Sequence, residues 1–593
     1  MNRAQLFLGA IIVAGAGGTA SAQTADTVFE DGPILTMAGD APVYVETVAV
    51  TDGRIVYAGP AAGAKALVGP KTERRSLSGR FMLPGFVDPH GHMVMGGLQA
   101  LAANMLAPPD GKITDIPGVV ATLKTWASVN AATVQQANVI IGFGYDNSQL
   151  KELRHPTKEE LDQVSKDVPV VIIHQSGHLA SVNSAALKMI GYDIASKNPE
   201  GGVIQRKAGS QEPNGTLEET AFFPLIGKVL KNIGPLGMTA FVKAGAQQWA
   251  RYGYTTAQEA RAVPGIADIL RKVADEGALN IDVAAYVDVL VDRNYILKNA
   301  SRSYTNHFRI AGAKLTIDGS PQGFTAWRDQ PYFDPVGSYP KGYAGYSAAK
   351  PEQVMDAVDW SFANKVQIVT HANGEAASDL LIKAIDAAEK KHPFPDPRPA
   401  LIHGQFLRED QVDAYKLLQV IPSLFPMHTF YWGDWHCAHT VGPRLCQNIS
   451  PTGWARQRGM IFTTHSDAPV ALPDTMRVLD ATVTRRSRTG KVIGESQKVD
   501  VYTGLRAMTI WPAFQIFEER DKGTIEVGKK ADFVVLSADP MKIDPEAIDQ
   551  IKVTETIKDG KTVFRLQPDK QADATSGISG LSPHIRTGSG GGR

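Results

Sequence analysis

Short apolar runs recur along the chain, each closed by Gly, Asp, Pro or His. Between many of them lie longer stretches with apolar residues three and four apart. Near the N-terminus, residues 27–29, 33–37, 45–50 and 54–58 read as strands separated by turns such as Thr51-Asp-Gly53. Residues 523–528, 531–536, 551–556 and 563–564 read the same way near the other end, the last after a turn at 558–561. Two strand-rich ends predict one small β-sandwich domain assembled from residues 23–82 and 480–566.

Residues 83–479 alternate strand and helix signals, the pattern of a parallel sheet of the α/β class. Eight candidate strands stand out: 85–88, 255–259, 281–287, 313–317, 367–371, 400–403, 421–426 and 460–466. They predict a (β/α)8 TIM-type barrel, whose functional groups sit at the C-terminal ends of the strands. The interval of about residues 101–240 between the first two strands is too long for a loop and predicts an inserted subdomain. Residues 567–593, rich in Gly and Ser, read as a disordered tail.

Composition narrows the class little. The 593 residues are 43% hydrophobic and 21% charged, as in an ordinary globular protein. With 61 basic and 61 acidic residues, charge gives no reason to expect nucleic acid or an anionic membrane as partner. The N-terminus says more. Arg3, the apolar residues 6–18 and Ala20-Ser-Ala22 read as a signal peptide over residues 1–22, which implies a periplasmic or secreted protein. No later run is apolar for the ~20 residues that a membrane span needs. Cys437 and Cys446 are too few for a zinc ribbon, and an oxidising compartment favours a loop-stapling disulfide between them.

The chemistry is concentrated at the predicted strand ends. The stretch Leu83-Pro-Gly-Phe-Val-Asp-Pro-His-Gly-His92 ends an apolar run in two histidines two positions apart, which project together from an extended segment. His371 and His403 each end a later run, Asp467 ends the last, and Lys314 sits inside an apolar strand, where a cation must be paired, neutralised or modified. Any one of these reads as a satisfied core or loop residue. Together they form the donor types that bind zinc or a similar divalent ion. His155, His307, His392 and His584 lie in polar or Pro-rich surroundings and read as surface residues.

This order of His-x-His, Lys, His, His and Asp resembles the amidohydrolase superfamily. Further motifs resemble its family 3 branch, the YtcJ-like proteins that include N-substituted formamide deformylases. These are Ser176-Gly-His-Leu-Ala-Ser-Val-Asn183, Gly215-Thr-Leu-Glu-Glu219, Asp318-Gly-Ser320, Ser466-Asp-Ala-Pro-Val470 and the run 523–532. The resemblance spans about residues 27–565. There are departures: His371-Ala-Asn-Gly-Glu375, Ile402-His403-Gly-Gln405, and His465 where glycine is usual.

The resemblance implies a hydrolase of a small molecule. His90, His92 and Asp467 would hold one divalent metal, His371 and His403 a second, with Lys314 between them if deprotonated or carbamylated. A one-metal site with Lys314 as a neighbouring acid or hydrogen-bond donor is the alternative. Asp467 is the expected base. His178, with His174, Asn183, Glu219 and Asp318, is a candidate for substrate binding or carbonyl polarisation, although a structural hydrogen bond fits these residues equally. Trp432, in the aromatic segment 427–436, is expected on the substrate wall, although ordinary loop packing would look similar. An amide-type C–N bond is the implied target. Ester, lactone or carbamate hydrolysis, a decarboxylase or isomerase reaction, and a non-catalytic binding protein stay open, as does assembly into a homo-oligomer.

Overall fold

The computed structural model describes residues 24–337 and 339–567. The signal-peptide reading of residues 1–22 and the disordered reading of the tail beyond 567 lie outside the described residues. Among the described residues no helix is long and apolar enough to cross a membrane.

The molecule is organised around eight parallel strands: β1 (Phe86–Val87), β2 (Tyr254–Ala262), β3 (Asp282–Asp288), β4 (Phe308–Thr316), β5 (Ile368–Ala372), β6 (Ala400–His403), β7 (Ile421–Leu424) and β8 (Thr463–Thr464). Each pairs with its sequence neighbour, so the sheet curls in chain order as in a TIM-type barrel. All eight expected strands form. Their residues are buried almost throughout, which explains the unbroken apolar runs.

Among the described residues no ladder joins β1 to β8. Val87 N–H donates to Met508 O and Thr464 N–H to Ala507 O, each at 3.1 Å. The Gln515 amide continues the bridge, donating to Pro89 O (2.9 Å) and accepting from the Thr463 hydroxyl (2.8 Å). The segment 507–515 therefore fills the seam.

Two further sheets pack face to face. One holds four strands from the N-terminal part, in the order Arg54–Gly59, Thr47–Thr51, Thr27–Glu30, Glu73–Ser76. The other mixes both ends, with Phe533–Leu536 antiparallel to Phe81–Pro84. Phe29 of the first sheet meets Phe533 of the second edge-on at 5.4 Å, inside a shared core with Val48, Met82 and Ile557.

Two strand expectations are corrected here. Residues 523–528 make no strand, because Ile525 N–H bonds to Thr36 O while Gly528 N–H bonds to Ile55 O, so no single ladder forms. Although Ile525 and Ala531 join the sandwich core, residues 480–522 before them are not sandwich either. They carry the end of helix Thr475–Val483 and helices Val501–Arg506 and Ile510–Gln515, and strand structure resumes only at Phe533.

The interval between β1 and β2 holds a six-stranded sheet flanked by helices, as the length argument predicts. Two helices border it: α1 (Met93–Leu101) directly after the His-x-His segment, and α2 (Phe223–Arg251), broken at Gly234 (φ 70°, ψ 178°) ahead of Pro235. They touch at backbone distance. A Cβ on Gly97 would lie 1.8 Å from Phe241 O, so only glycine permits the approach that sets α2 over the barrel mouth.

After β7 comes helix α3 (Met427–Trp435), and Cys437 is bonded to Cys446 with Cα atoms 5.0 Å apart. His155 and His307 are not surface residues. Each is half-buried and paired, His155 Nδ1 with the Tyr145 hydroxyl (3.1 Å) and His307 Nδ1 with Asp282 (2.6 Å).

Candidate metal centre

The strand ends bring five of the expected donors to one place. His90 Nε2 and His92 Nε2 lie 3.2 and 3.4 Å from Asp467 Oδ1, and His403 Nε2 lies 3.7 Å from Asp467 Oδ2. His403 Nε2 also faces His371 Nδ1 at 3.1 Å. Ligand atoms bound about 2.1 Å from a tetrahedral ion sit roughly 3.4 Å apart, so these separations suit a shared cation. The backbone is bent to achieve this. Asp467 and His403 adopt left-handed conformations, with φ of 51° and 76°, which persist only where surrounding structure enforces them.

The electrostatics agree. Burial holds His90 and His403 well below the usual imidazole pKa, so both are neutral, as ligation requires. Burial alone would raise the Asp467 carboxyl, but the His403, His90 and His92 imidazoles outweigh it and hold the group well below the carboxylate range. Asp467 Oδ1 and the Nδ1 atoms of His90 and His403 are buried without a hydrogen-bond partner among the described residues. A buried anionic oxygen left this way is costly, and a cation satisfies it. The donor set fits a divalent metal.

Lys314 Nζ lies 3.5 Å from His90 Nε2, and burial pushes its pKa down to about 7. A lysine lowered this far is partly deprotonated at neutral pH, which is compatible with ligation, carbamylation or hydrogen bonding alike.

The profile of the Amidohydrolase family matches residues 75–564. The chain belongs to this family. The YtcJ protein of Bacillus subtilis is 27% identical over 558 residues, which cover 91% of this chain and 99% of that protein. The N-substituted formamide deformylase of Arthrobacter pascens is 22% identical, covering 87% of this chain and 94% of that protein. Among solved structures, a metal-dependent hydrolase from Pyrococcus horikoshii shares the fold with a TM-score of 0.68 at 22% identity, covering 88% of this chain and 99% of that one. This amidohydrolase is a metal-dependent hydrolase.

Several partners orient the donors of the amidohydrolase centre. Asp318 Oδ1 lies 3.3 Å from His371 Nε2, and its two oxygens accept from the backbone N–H groups of Asn373, Trp327 and Gly374 at 2.8–2.9 Å. Every lone pair is engaged, so Asp318 fixes the His371 ring and the expectation that it binds substrate is corrected. Asp88 accepts from Trp249 Nε1 (2.7 Å) and from His90 N–H (3.1 Å), which steadies the His-x-His turn.

The candidates from the insert divide. His178 reaches the centre, its ring 5.3 Å from that of His371, with Nδ1 held by Glu219 Oε2 at 2.8 Å. Burial alone would lower its pKa, but Glu219 outweighs burial and raises it. Glu219 also accepts from the Thr325 hydroxyl (2.9 Å), so it positions His178 instead of meeting substrate. The close approach depends on Gly319, where a Cβ would lie 2.3 Å from Glu219 Oε1.

Asn183 is a helix cap. Its side-chain oxygen accepts from Ala186 and Val170 N–H (2.9 Å each) and its amide donates to Ser165 and Val168 carbonyls. His174 is bonded to Ser176 and Asn147, and Trp432 Nε1 donates to Asp146 at 2.7 Å. The substrate-binding expectation is therefore corrected for Asn183, His174 and Trp432: all three are buried with their polar atoms already paired, away from the cavity that leads to the metal donors.

That cavity, of about 460 Å³, opens on His92, Lys314, His371, His403 and Asp467. Its walls are apolar: Met95 and Leu98 from α1, and Phe222, Ile226, Leu230 and Phe241 from α2 and the residue before it. Its polar lining includes an ion pair, Arg261 Nε donating to Asp288 Oδ2 at 3.1 Å. The sequence reading assigned Arg261 nothing. It stands near the end of β2, where an acid-base pair with Asp288 at the end of β3 was open to inference from the barrel rule.

Proposed function

We propose that this amidohydrolase is an exported enzyme that hydrolyses an amide-type C–N bond in a small molecule bearing a bulky apolar group. The observation that carries the reading is the apolar cavity of about 460 Å³ ending on the metal donors. Such a cavity buries most of a small ligand, and a few polar groups at its floor select the reacting bond. The Arthrobacter pascens relative, named for its action on N-substituted formamides, supports a C–N target.

His90, His92, His403 and Asp467 would hold a divalent ion, which would supply nucleophilic hydroxide near neutral pH and would polarise a carbonyl. Asp467, ionised, accepts the proton as attack proceeds and returns it to the leaving nitrogen. His178, fixed through Nδ1 by Glu219, offers its other ring nitrogen as a donor to the carbonyl oxygen. The walls from α1 and α2 hold the substituent and keep bulk water from the reacting bond.

The test is a series of formamides and acetamides whose nitrogen substituent grows from methyl to aryl-alkyl, assayed on the metal-loaded full-length protein. kcat/KM should rise roughly three- to fourfold per added methylene, from about 0.8 kcal/mol of buried CH2. A flat series, or turnover of matched esters alone, overturns the reading. Export rests on the sequence of residues 1–22 and is supported by the Cys437–Cys446 bond, which persists in oxidising compartments. A mature N-terminus at Gln23 is the expected result, and an uncleaved chain retained in the cytoplasm refutes it.

A further inference from the structure

His465 has no part in the mechanism above, yet it is fully buried at the same centre, one residue beyond β8 and two before Asp467. Its ring lies 5.1 Å from that of His90 and 5.0 Å from those of His403 and Phe425. Neither ring nitrogen has a hydrogen-bond partner among the described residues, and the Ser423 carbonyl, although near, does not meet hydrogen-bond geometry. A buried polar atom left unpaired costs about 1–3 kcal/mol, and at least one nitrogen of His465 has no protein acceptor or donor near it among the described residues. Its surroundings do not explain it as packing. A ligand atom of His465, one of His403 and one of Asp467 all lie within 4.8 Å of one another. His90, His92 and Asp467 make a second such group, so the two share only the carboxylate.

We propose that His465 is a direct metal ligand, forming with His403 and Asp467 an inner metal position that shares the Asp467 carboxylate with the outer position of His90 and His92. The proposal rests on the metal-dependent reading of the centre and departs from the ligand set implied by the family resemblance, where glycine is usual at this place. An inner ion held this way has three protein ligands without Lys314. A second metal then needs no carbamylated lysine, and Lys314 is free to act as a hydrogen-bond donor beside His90.

The test uses the full-length protein dialysed against chelator and titrated with Co2+, followed by visible absorption and calorimetry. Wild type should take up two ions. His465→Gly should keep one at unchanged affinity and weaken the other by about 100-fold or more, because losing a ligand costs at least as much as losing a partner that orients one. His465→Cys should regain the second ion and show a thiolate-to-cobalt charge-transfer band, a signature that no structural role produces. Melting of the metal-free variants checks folding, and the cysteine variant decides if the glycine variant does not fold. Unchanged binding in His465→Gly, equal weakening of both ions, or no charge-transfer band in His465→Cys overturns the proposal. Failure of the wild type to bind any Co2+ instead overturns the metal-dependent reading beneath it.

Discussion

At the N-terminal ends of the barrel strands, Asp282 at the start of β3 meets Lys522 at 2.6 Å, Lys558 at 3.1 Å and His307 at 2.6 Å. Close by, Glu518 meets Lys522 at 2.5 Å and Arg309 at 2.7 Å. Both carboxylates are buried, and each faces cations of the chain itself. Burial would raise the Asp282 carboxyl, but Lys522 and Lys558 outweigh it and hold it well below the usual range. At the C-terminal ends, the Asp467 carboxylate is buried among the imidazoles of His90, His92 and His403. One end of the barrel completes its own charge balance. The other leaves donors for something the protein binds. Burial alone does not distinguish a structural cluster from a functional one; whether the chain itself supplies the cations that face the buried carboxylate does.

The sharpest way to break this contrast is to neutralise one carboxylate at each end. Asp467→Asn should lower kcat/KM by about 10³-fold or more with the far-ultraviolet circular dichroism unchanged, since its loss removes the base and a ligand together. Near-normal turnover would refute its assignment. Asp282→Ala should do the reverse. It takes from Lys522 and Lys558 one of the carboxylates each faces, leaving them Glu518 and Asp532, and should cost about 3 kcal/mol of stability in denaturant titration, while the folded fraction binds metal as before. A loss of metal affinity without a loss of stability would erase the distinction between the ends.

A smaller effect should come from Glu218, a buried carboxylate in the insert that accepts from the neutral Gln205 amide at 2.6 Å and faces no cation at that distance among the described residues. Burial, helped by Glu219, raises its pKa to about 7. Because the folded value exceeds the unfolded one, its contribution to stability is full below about pH 4.5 and is lost as pH rises through 7. Glu218→Gln should therefore gain roughly 2 kcal/mol relative to wild type at pH 8 over pH 5, read from paired denaturation curves. Parallel curves at the two pH values would show that Glu218 is ionised throughout.

The barrel was legible because its strands are buried apolar runs stopped by polar residues, and those stops bring the candidate metal donors together. The metal donors could be read for the same reason. What escaped was pairing. Asn183, Asp318 and Trp432 sit in or near motifs that suggest contact with a ligand, and only their hydrogen bonds reveal them as cap, ring support and packing. His465 shows the converse. Its sequence position marked it only as a departure, because whether a ring at a strand end turns into the barrel depends on the bend at Asp467. At the sandwich, the strand Glu73–Ser76 carries charge on most positions and has no apolar alternation to betray it, while 523–528 has the alternation but no neighbour free to form a ladder.

The seam filled by residues 507–515 gives the chain an order of assembly. Until that stretch has emerged from the ribosome, β1 and β8 each expose an edge with nothing to hold it, however completely the eight strands have been made. Closure waits for the last sixth of the sequence. Such lateness keeps the barrel open for as long as the chain is being made, and locks it shut only once its far end arrives.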